Sequence, residues 1–378
     1  MAKNLFSVAL AAAMILVAMT RISAAQSQEE VLVGFAGPIT GPVAALGEQM
    51  VKGVEMAVAD INARGGILGK KLRLVIGDDV CDPKQAVAVA NDMVKKKVAL
   101  VVGHACSSSS IPASAVYAAE GILQITPAST NILLTDDAAK KGWTTVMRTC
   151  GRDDKQGDFA GRWLAQNYPG KNVAILHDKS AYGKGLADET KKNMNAAGLR
   201  EKMFEAYNAN ERDFSALISK MKRDKIEIVY VGGYHNDIGL LARQATEQGL
   251  KIMIVGGDAL NSSDFWAISG AAGEGTRFSD ASSALNLPAA KPIVEKFRSQ
   301  GYEPEGYTLS SYAAIQAWAA GVVQANSFDG KKVAAALRGM NVETVIGTLN
   351  WDQKGDLKNP VYAWFVWSKG KFAQEVKK

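Results

Sequence analysis

Beyond an apolar first stretch, hydrophobic and polar positions follow two alternating rhythms. Short, nearly continuous apolar runs at residues 31–36, 72–76, 99–103 and 123–126 predict buried strands. Between the first two, Val51, Val54, Val58 and Ile61 recur at spacings of three and four, the stripe of an amphipathic helix over 47–64 that Gly65-Gly66 stops. Asp82 stands as an N-cap with Pro83 at the first helical position, opening a helix to about residue 96. A helix from about 109 to 120 leads into the fourth strand.

A second series starts near Cys150. Helices are predicted at 153–167, 181–197, 213–222 and 236–248, and strands at 173–177, 202–206, 226–231 and 252–255. Repeated βα units with apolar strands mean parallel sheets covered by helices on both faces, so the fold class is α/β with two similar lobes. Past about residue 280 the pattern is mostly helical (289–300, 308–326, 330–338) and closes on an aromatic segment, VYAWFVWSKGKF, with strand-like alternation. These strands are too few for a third domain. The chain is therefore expected to return and complete the lobes already begun, leaving a cleft between them. The length of 378 residues fits two domains.

The first segment changes the compartment. Lys3, an apolar stretch from Leu5 to Met19 and the small residues Ser23-Ala24-Ala25 have the layout of a cleavable secretory signal over residues 1–25, with the cut expected after Ala25. Arg21 interrupts the apolar run before it reaches the roughly 20 residues of a membrane span, and the segment holds no Cys for a lipoprotein anchor. Without Lys3 and Arg21 the formal charge of +6 falls to about +4. The remaining basic residues are dispersed and not interleaved with aromatics, so no nucleic-acid partner is expected.

An exported chain can keep a disulfide. Of Cys81, Cys106 and Cys150, the first two are the better pair, because each follows the carboxyl end of a predicted strand and neighbouring strands bring such ends within bridging distance. Cys150 is left as an apolar filler near the lobe junction. The three Cys and three His show no paired spacing for zinc, and no metal or cofactor is expected. The loop Gly37-Pro38-Ile39-Thr40-Gly41-Pro42 lacks dinucleotide glycine spacing, and no phosphate loop or nucleophile elbow occurs. An enzyme is not expected.

The stretches DDVCDPKQAVAVANDMV, VVGHACSSSSIPAS, GILQITPAST, ILHDKSAYGKGLA, YVGGYHND and NWDQKGDLK, in this order, resemble the periplasmic leucine/isoleucine/valine-binding proteins of ABC-type amino-acid importers. The resemblance runs from about Val31 to the last strand. It implies a type I periplasmic binding protein: two Rossmann-like lobes, joined by three hinge crossings, that close on one amino acid and present it to an inner-membrane permease. The lobes are then residues 26–148 with 282–357, and 149–281 with 358–378, in a monomer located in the periplasm.

A zwitterionic ligand needs donors for its carboxylate, acceptors for its ammonium and an apolar wall. Ser107, beside Cys106 and at the start of a helix, offers a hydroxyl and helix-terminal N–H groups to a carboxylate. By resemblance it is the carboxylate-binding serine. The Pro127-Ala128-Ser129-Thr130 loop matches the head-group positions, with the Ala128 carbonyl and Thr130 on the amino acid and Ser129 between them. Tyr234, Tyr182 and Tyr307 match cleft tyrosines, and Asp258 falls where the family places an acid against the ammonium.

Three positions depart from that pattern. Relatives carry a large aromatic at the position of Leu46, a leucine at that of Ala105 and a glutamate at that of Asp258. The walls are smaller, so leucine, isoleucine and valine are the default ligands while larger aliphatic or aromatic amino acids stay open. Four extra residues near Asp136–Lys140 have no counterpart and no role legible in the sequence. Other small solutes (an amide, urea or an aromatic acid), and a ligand-sensing receptor domain, are the alternatives.

Overall fold

The computed structural model describes residues 29–375, and the expected signal at 1–25 lies outside them. Five strands form the first sheet: β1 (Glu30–Gly37), β2 (Lys71–Asp78), β3 (Leu100–Gly103), β4 (Leu123–Thr126) and β5 (Val146–Arg148). They pair in parallel in the order β2-β1-β3-β4-β5. Helices α1 (Ala44–Ala63), α2 (Pro83–Lys95), α3 (Ser107–Ala119) and α4 (Leu133–Lys140) connect them. The N-cap read at Asp82 is present, its carboxylate accepting from the Lys84 and Gln85 amides at 2.9 Å each.

The chain then enters the second sheet through α5 (Asp153–Asn167), β6 (Val173–His177), α6 (Ala181–Ala196), β7 (Met203–Ala206), α7 (Ser215–Arg223), β8 (Ile228–Gly232), α8 (His235–Glu247) and β9 (Met253–Gly256). After a short helix, α9 (Asp264–Ser269), comes β10 (Arg277–Ala281). Next come α10 (Lys291–Ser299), α11 (Thr308–Ala325) and α12 (Gly330–Arg338), of which α11 packs on α1 and α12, back at the first sheet. A small hairpin, β11 (Val342–Thr344) with β12 (Gly347–Leu349), precedes the final return, where β13 (Tyr362–Ser368) and β14 (Lys371–Gln374) extend the second sheet to β14-β13-β10-β9-β8-β6-β7. The chain thus passes between the sheets three times. Every residue of β3, β4, β6 and β8 is buried, as helix cover on both faces requires.

Helical cover also explains which residues face which layer of the first sheet. Val33, Phe35, Leu100 and Val102 point into one cluster with Met50 and Val54 of α1 and Trp318 of α11. Ala36 and Val101 point the other way, onto Ala86, Val89 and Met93 of α2 and Tyr117 of α3.

Both sheets reverse their strand order once, β1 to β3 in the first and β6 to β8 in the second. Such switch points open crevices at the carboxyl ends of strands, where the loops diverge to opposite faces. The helix starts that follow β3, β6 and β8 carry Ser107, Tyr182 and Tyr234.

The fold amends the sequence reading in three places. Cys81 and Cys106 are bonded, with Cα atoms 5.6 Å apart, but β2 and β3 are not neighbours: β1 lies between them, and the bridge spans its carboxyl end. Cys81 reaches across because it sits in a turn at φ 60°. The terminal aromatic segment is a hairpin, turning at Lys369-Gly370, where both φ angles are positive. The extra residues around Asp136–Lys140 form most of α4.

Candidate functional site

Between the two sheets lies a cavity lined by Leu46, Ala105, Ser107, Ala128 and Tyr307 on the side of the first sheet and by Tyr182, Tyr234 and Ala259 on the side of the second. Its free volume, about 10 Å³, holds roughly one water. The walls are drawn together by hydrogen bonds across the cleft. Asn131 Nδ2 donates to the Ala181 carbonyl at 2.6 Å, the Ala181 amide donates to Ser108 Oγ at 3.1 Å, and Gln49 Nε2 donates to the Asn261 carbonyl at 3.3 Å. Anything much larger than a water enters only when these part. All but three of the residues singled out from the sequence line the cavity; Ser129, Thr130 and Asp258 stand behind it.

The first-sheet wall is braced from below. The carbonyl of His104 is within hydrogen-bonding distance of the hydroxyls of Thr126 (2.7 Å), Ser129 (3.1 Å) and Ser110 (3.2 Å), and Ser129 Oγ also reaches the Ala105 carbonyl at 2.9 Å. The His104 ring sits between Asp79 Oδ2 (2.6 Å) and the Tyr117 hydroxyl (3.0 Å). With the disulfide two residues further on, this lattice fixes the start of α3. Ser107 Oγ accepts from the Asn131 amide at 3.2 Å, which leaves its own proton free to donate. The Ser129 hydroxyl, by contrast, is taken up within the brace.

Unpaired polar atoms then mark the head-group side. Among the described residues, the Tyr234 hydroxyl is buried without a hydrogen-bond partner, and Thr130 Oγ1 and the Asp153 carboxylate, equally buried, have no side-chain partner but each other. Asp153 was not singled out from the sequence. It opens α5, its amide donates to the Thr130 carbonyl at 2.9 Å, and it is fully buried. Burial pushes its carboxyl up to about 8, and the neighbouring Asp258 charge adds to the rise. A buried carboxylate with one hydroxyl for a partner is costly to ionise, and a cation arriving beside it offsets that cost.

Asp258 itself is 3% exposed and well supplied with donors. Tyr307 donates to its Oδ2 at 2.6 Å; Tyr182 and Gln156 donate to its Oδ1 at 3.0 and 3.1 Å. Burial raises its pKa and these donors oppose the rise. Burial, with the Asp258 charge adding to it, holds the Tyr182 and Tyr307 phenols well above their ordinary range, so both remain donors. Asp280, next along the same wall, is pushed up to about 8 by burial and by Asp258. The wall opposite Ser107 is therefore acidic and short of cations, while the wall at Ser107 offers donors. That polarity fits a zwitterion whose carboxylate meets Ser107 and whose ammonium meets Asp258.

The nearest guanidinium is already engaged. Arg148, fully buried, pairs through Nε with Asp356 Oδ1 at 2.8 Å and donates to the carbonyls of Ser129 (2.8 Å) and Asn131 (3.1 Å) and to Thr135 Oγ1 (2.9 Å). Arg152 binds Asp356 at 2.7 Å and Asp136 at 3.0 Å, and Lys354 binds Asp136 at 2.6 Å. Thr135 and Asp136 belong to the extra helix α4, so the insertion serves as an anchor for the first crossing. A cavity of about 330 Å³ beside these crossings is lined largely by charged residues, Arg152, Lys354 and Asp356 among them. Gly151 lets the crossings approach, since a Cβ there would lie 1.9 Å from the Tyr362 hydroxyl. Cys150, half-buried, faces the Ser129 carbonyl at 3.4 Å, and burial pushes its thiol up to about 12.

Comparison with known proteins agrees with this architecture. The sequence model of the family described as periplasmic binding protein matches residues 30–371. A Leu/Ile/Val-binding protein homolog of Brucella suis is 45% identical over 342 residues, 90% of this chain and 91% of that protein. A leucine-, isoleucine-, valine-, threonine- and alanine-binding protein of Pseudomonas aeruginosa is 42% identical over 356 residues, 94% of each chain. Among solved structures, the branched-chain amino acid transporter substrate-binding protein LivJ of Streptococcus pneumoniae, in complex with isoleucine, superposes with a TM-score of 0.84 at 26% identity over 92% of this chain and 99% of the other. No helix among the described residues is long and apolar enough to cross a membrane, and no group of three or more His, Cys, Asp or Glu among them could hold a metal ion.

Proposed function

The chain belongs to the periplasmic binding protein family, and on that premise we propose that it captures a branched-chain aliphatic amino acid in the cleft between its sheets and delivers it to an ABC-type membrane permease. The observation that carries the reading is the polarity of the cleft: a free Ser107 hydroxyl at a helix start faces a buried, cation-poor carboxylate wall built on Asp258. An α-amino acid supplies both missing charges at the right ends. Leu46, Ala105, Ala128 and Ala259 give the side chain an apolar bed, and relatives of known binding name take leucine, isoleucine and valine.

Capture follows from lobe closure. We assign residues 26–148 with 282–357 to one lobe and 149–281 with 358–378 to the other, so that Tyr182, Tyr234 and Asp258 move as a unit against Ser107, Ala128 and Thr130. The ligand favours closure by as much as it binds the closed form better than the open one. The permease reads that closed form. We read residues 1–25 as a cleaved leader that takes the protein to the periplasm, and we take the working form to be a monomer. Mass spectrometry of the small molecules released on denaturing freshly purified protein tests the reading. Leucine, isoleucine or valine is expected, and a molecule without an α-ammonium overturns it.

A further inference from the structure

Gln156 lies on the second turn of α5, fully buried, and does not line the cavity. Its Nε2 reaches Ser279 O at 2.8 Å, Asp258 Oδ1 at 3.1 Å and Ser279 Oγ at 3.2 Å. All three are oxygens, and two of them, the carbonyl and the carboxylate, can only accept from it. The opposite amide orientation would set Oε1 against both, so the chemistry fixes which end points there. Gln156 thereby ties the first crossing's helix to β10 and to the acid at the end of β9.

The consequence shows in the lone pairs of Asp258. A carboxylate offers about four acceptor positions. Gln156 and Tyr182 fill both on Oδ1, and Tyr307 fills one on Oδ2. The side-chain donors thus leave one position, on Oδ2, unfilled. The aspartate is one methylene shorter than the glutamate of the resemblance, so its aim matters more. Tyr182 and Tyr307 line the cavity and touch whatever binds there; Gln156 does not, and acts only through Asp258.

We propose that Gln156 is a positioning residue that holds the Asp258 carboxylate with a single Oδ2 lone pair turned to the cleft, and that it thereby sets the protein's selectivity for ligands with an α-ammonium. This rests on the reading of the cleft as an amino-acid site. A residue that merely supports the fold would affect every ligand alike, whereas Gln156 acts on the ammonium and not on the carboxylate or the side chain. Loss of one hydrogen bond to a charged group changes an affinity by roughly 10- to 100-fold.

The test compares leucine with isocaproate, which has leucine's skeleton and carboxylate and no ammonium, by calorimetric titration and competition. In Gln156→Met the preference for leucine over isocaproate is expected to fall about tenfold or more, with isocaproate affinity unchanged. Ser279→Ala, which removes one anchor of Gln156 and leaves its carbonyl bond, is expected to lower the same ratio about threefold and keeps the test open if the first variant does not fold. Equal losses for both ligands, or an unchanged ratio in both variants, overturn the role of Gln156. A wild-type protein that binds no leucine at all overturns instead the amino-acid reading on which it rests.

Discussion

Two groups of buried or half-buried carboxylates are treated in opposite ways. At the crossings, Asp136 and Asp356 meet Arg148, Arg152 and Lys354 in one ion-paired network, and Arg152 and Lys354 hold Asp136 down at about 2 despite its partial burial. In the cleft, Asp258 and Asp280 meet phenols, amides and backbone N–H groups, Asp153 meets only the Thr130 hydroxyl, and burial raises all three. Ions paired inside the protein brace it. Acids left uncompensated beside a cleft mark where a cation from outside is received.

Exchanging an acid for its amide on each side breaks the comparison most sharply. Asp258→Asn removes the ammonium's charge partner and is expected to weaken leucine binding by 100-fold or more, in line with roughly 3–5 kcal/mol for breaking a buried pair. Because it relieves an uncompensated charge, it should leave the melting temperature of the ligand-free protein unchanged or higher. Asp356→Asn leaves Arg148 without its carboxylate partner and removes one of three from Arg152, and a loss of about 3 kcal/mol in stability is expected, with leucine affinity altered less than about threefold. Calorimetry and thermal melts on the two variants check the crossed pattern; equal effects on stability would erase the distinction.

The pH dependence has a definite sign. Asp153 and Asp280 ionise near 8 in the fold, against roughly 4 in an unfolded chain. Their contribution to ligand-free stability is therefore whole below about pH 4 and is lost as pH rises toward about 8. An amino acid's ammonium compensates the ionised forms. The rise in melting temperature on adding leucine should grow across that window, and a constant rise from pH 5 to pH 8 would count against the acid cluster as the ammonium's environment.

Much of this was legible in the chain. Strands at 123–126 and 173–177 and helices at 153–167 and 330–338 match the fold because continuous apolar runs and amphipathic stripes are local signals. β5 and β10 were not seen. The first is three residues long, and the second, RFSDA, breaks its apolar run with polar residues that find partners only in the tertiary structure. The cavity-lining Ser107, Tyr182, Tyr234 and Tyr307 were found through resemblance and chemistry, and Ala259 was missed beside Asp258. Asp153 and Gln156 were read only as parts of a helix. Their three-residue spacing sets both on one helix face, but burial and lost partners are not written in spacing.

Smaller effects sharpen the cleft side. Leu46→Trp and Ala105→Leu restore bulk to the two reduced walls. Each is expected to weaken binding of amino acids larger than leucine about tenfold, within the roughly 1–3 kcal/mol that a methylene-sized change commands, and to spare valine. Titration with a size series checks this. Cys150→Ala should change affinity less than about twofold and stability by under about 1 kcal/mol, and the native thiol should resist labelling at pH 8, because burial keeps it protonated.

The central claim is that the cleft holds a zwitterionic amino acid between Ser107 and Asp258. Calorimetric titration of protein stripped of ligand by unfolding and refolding tests it most directly, with a panel of aliphatic and aromatic amino acids. A single saturable site is predicted, tightest for leucine, isoleucine or valine. No heat with any member of the panel would contradict it.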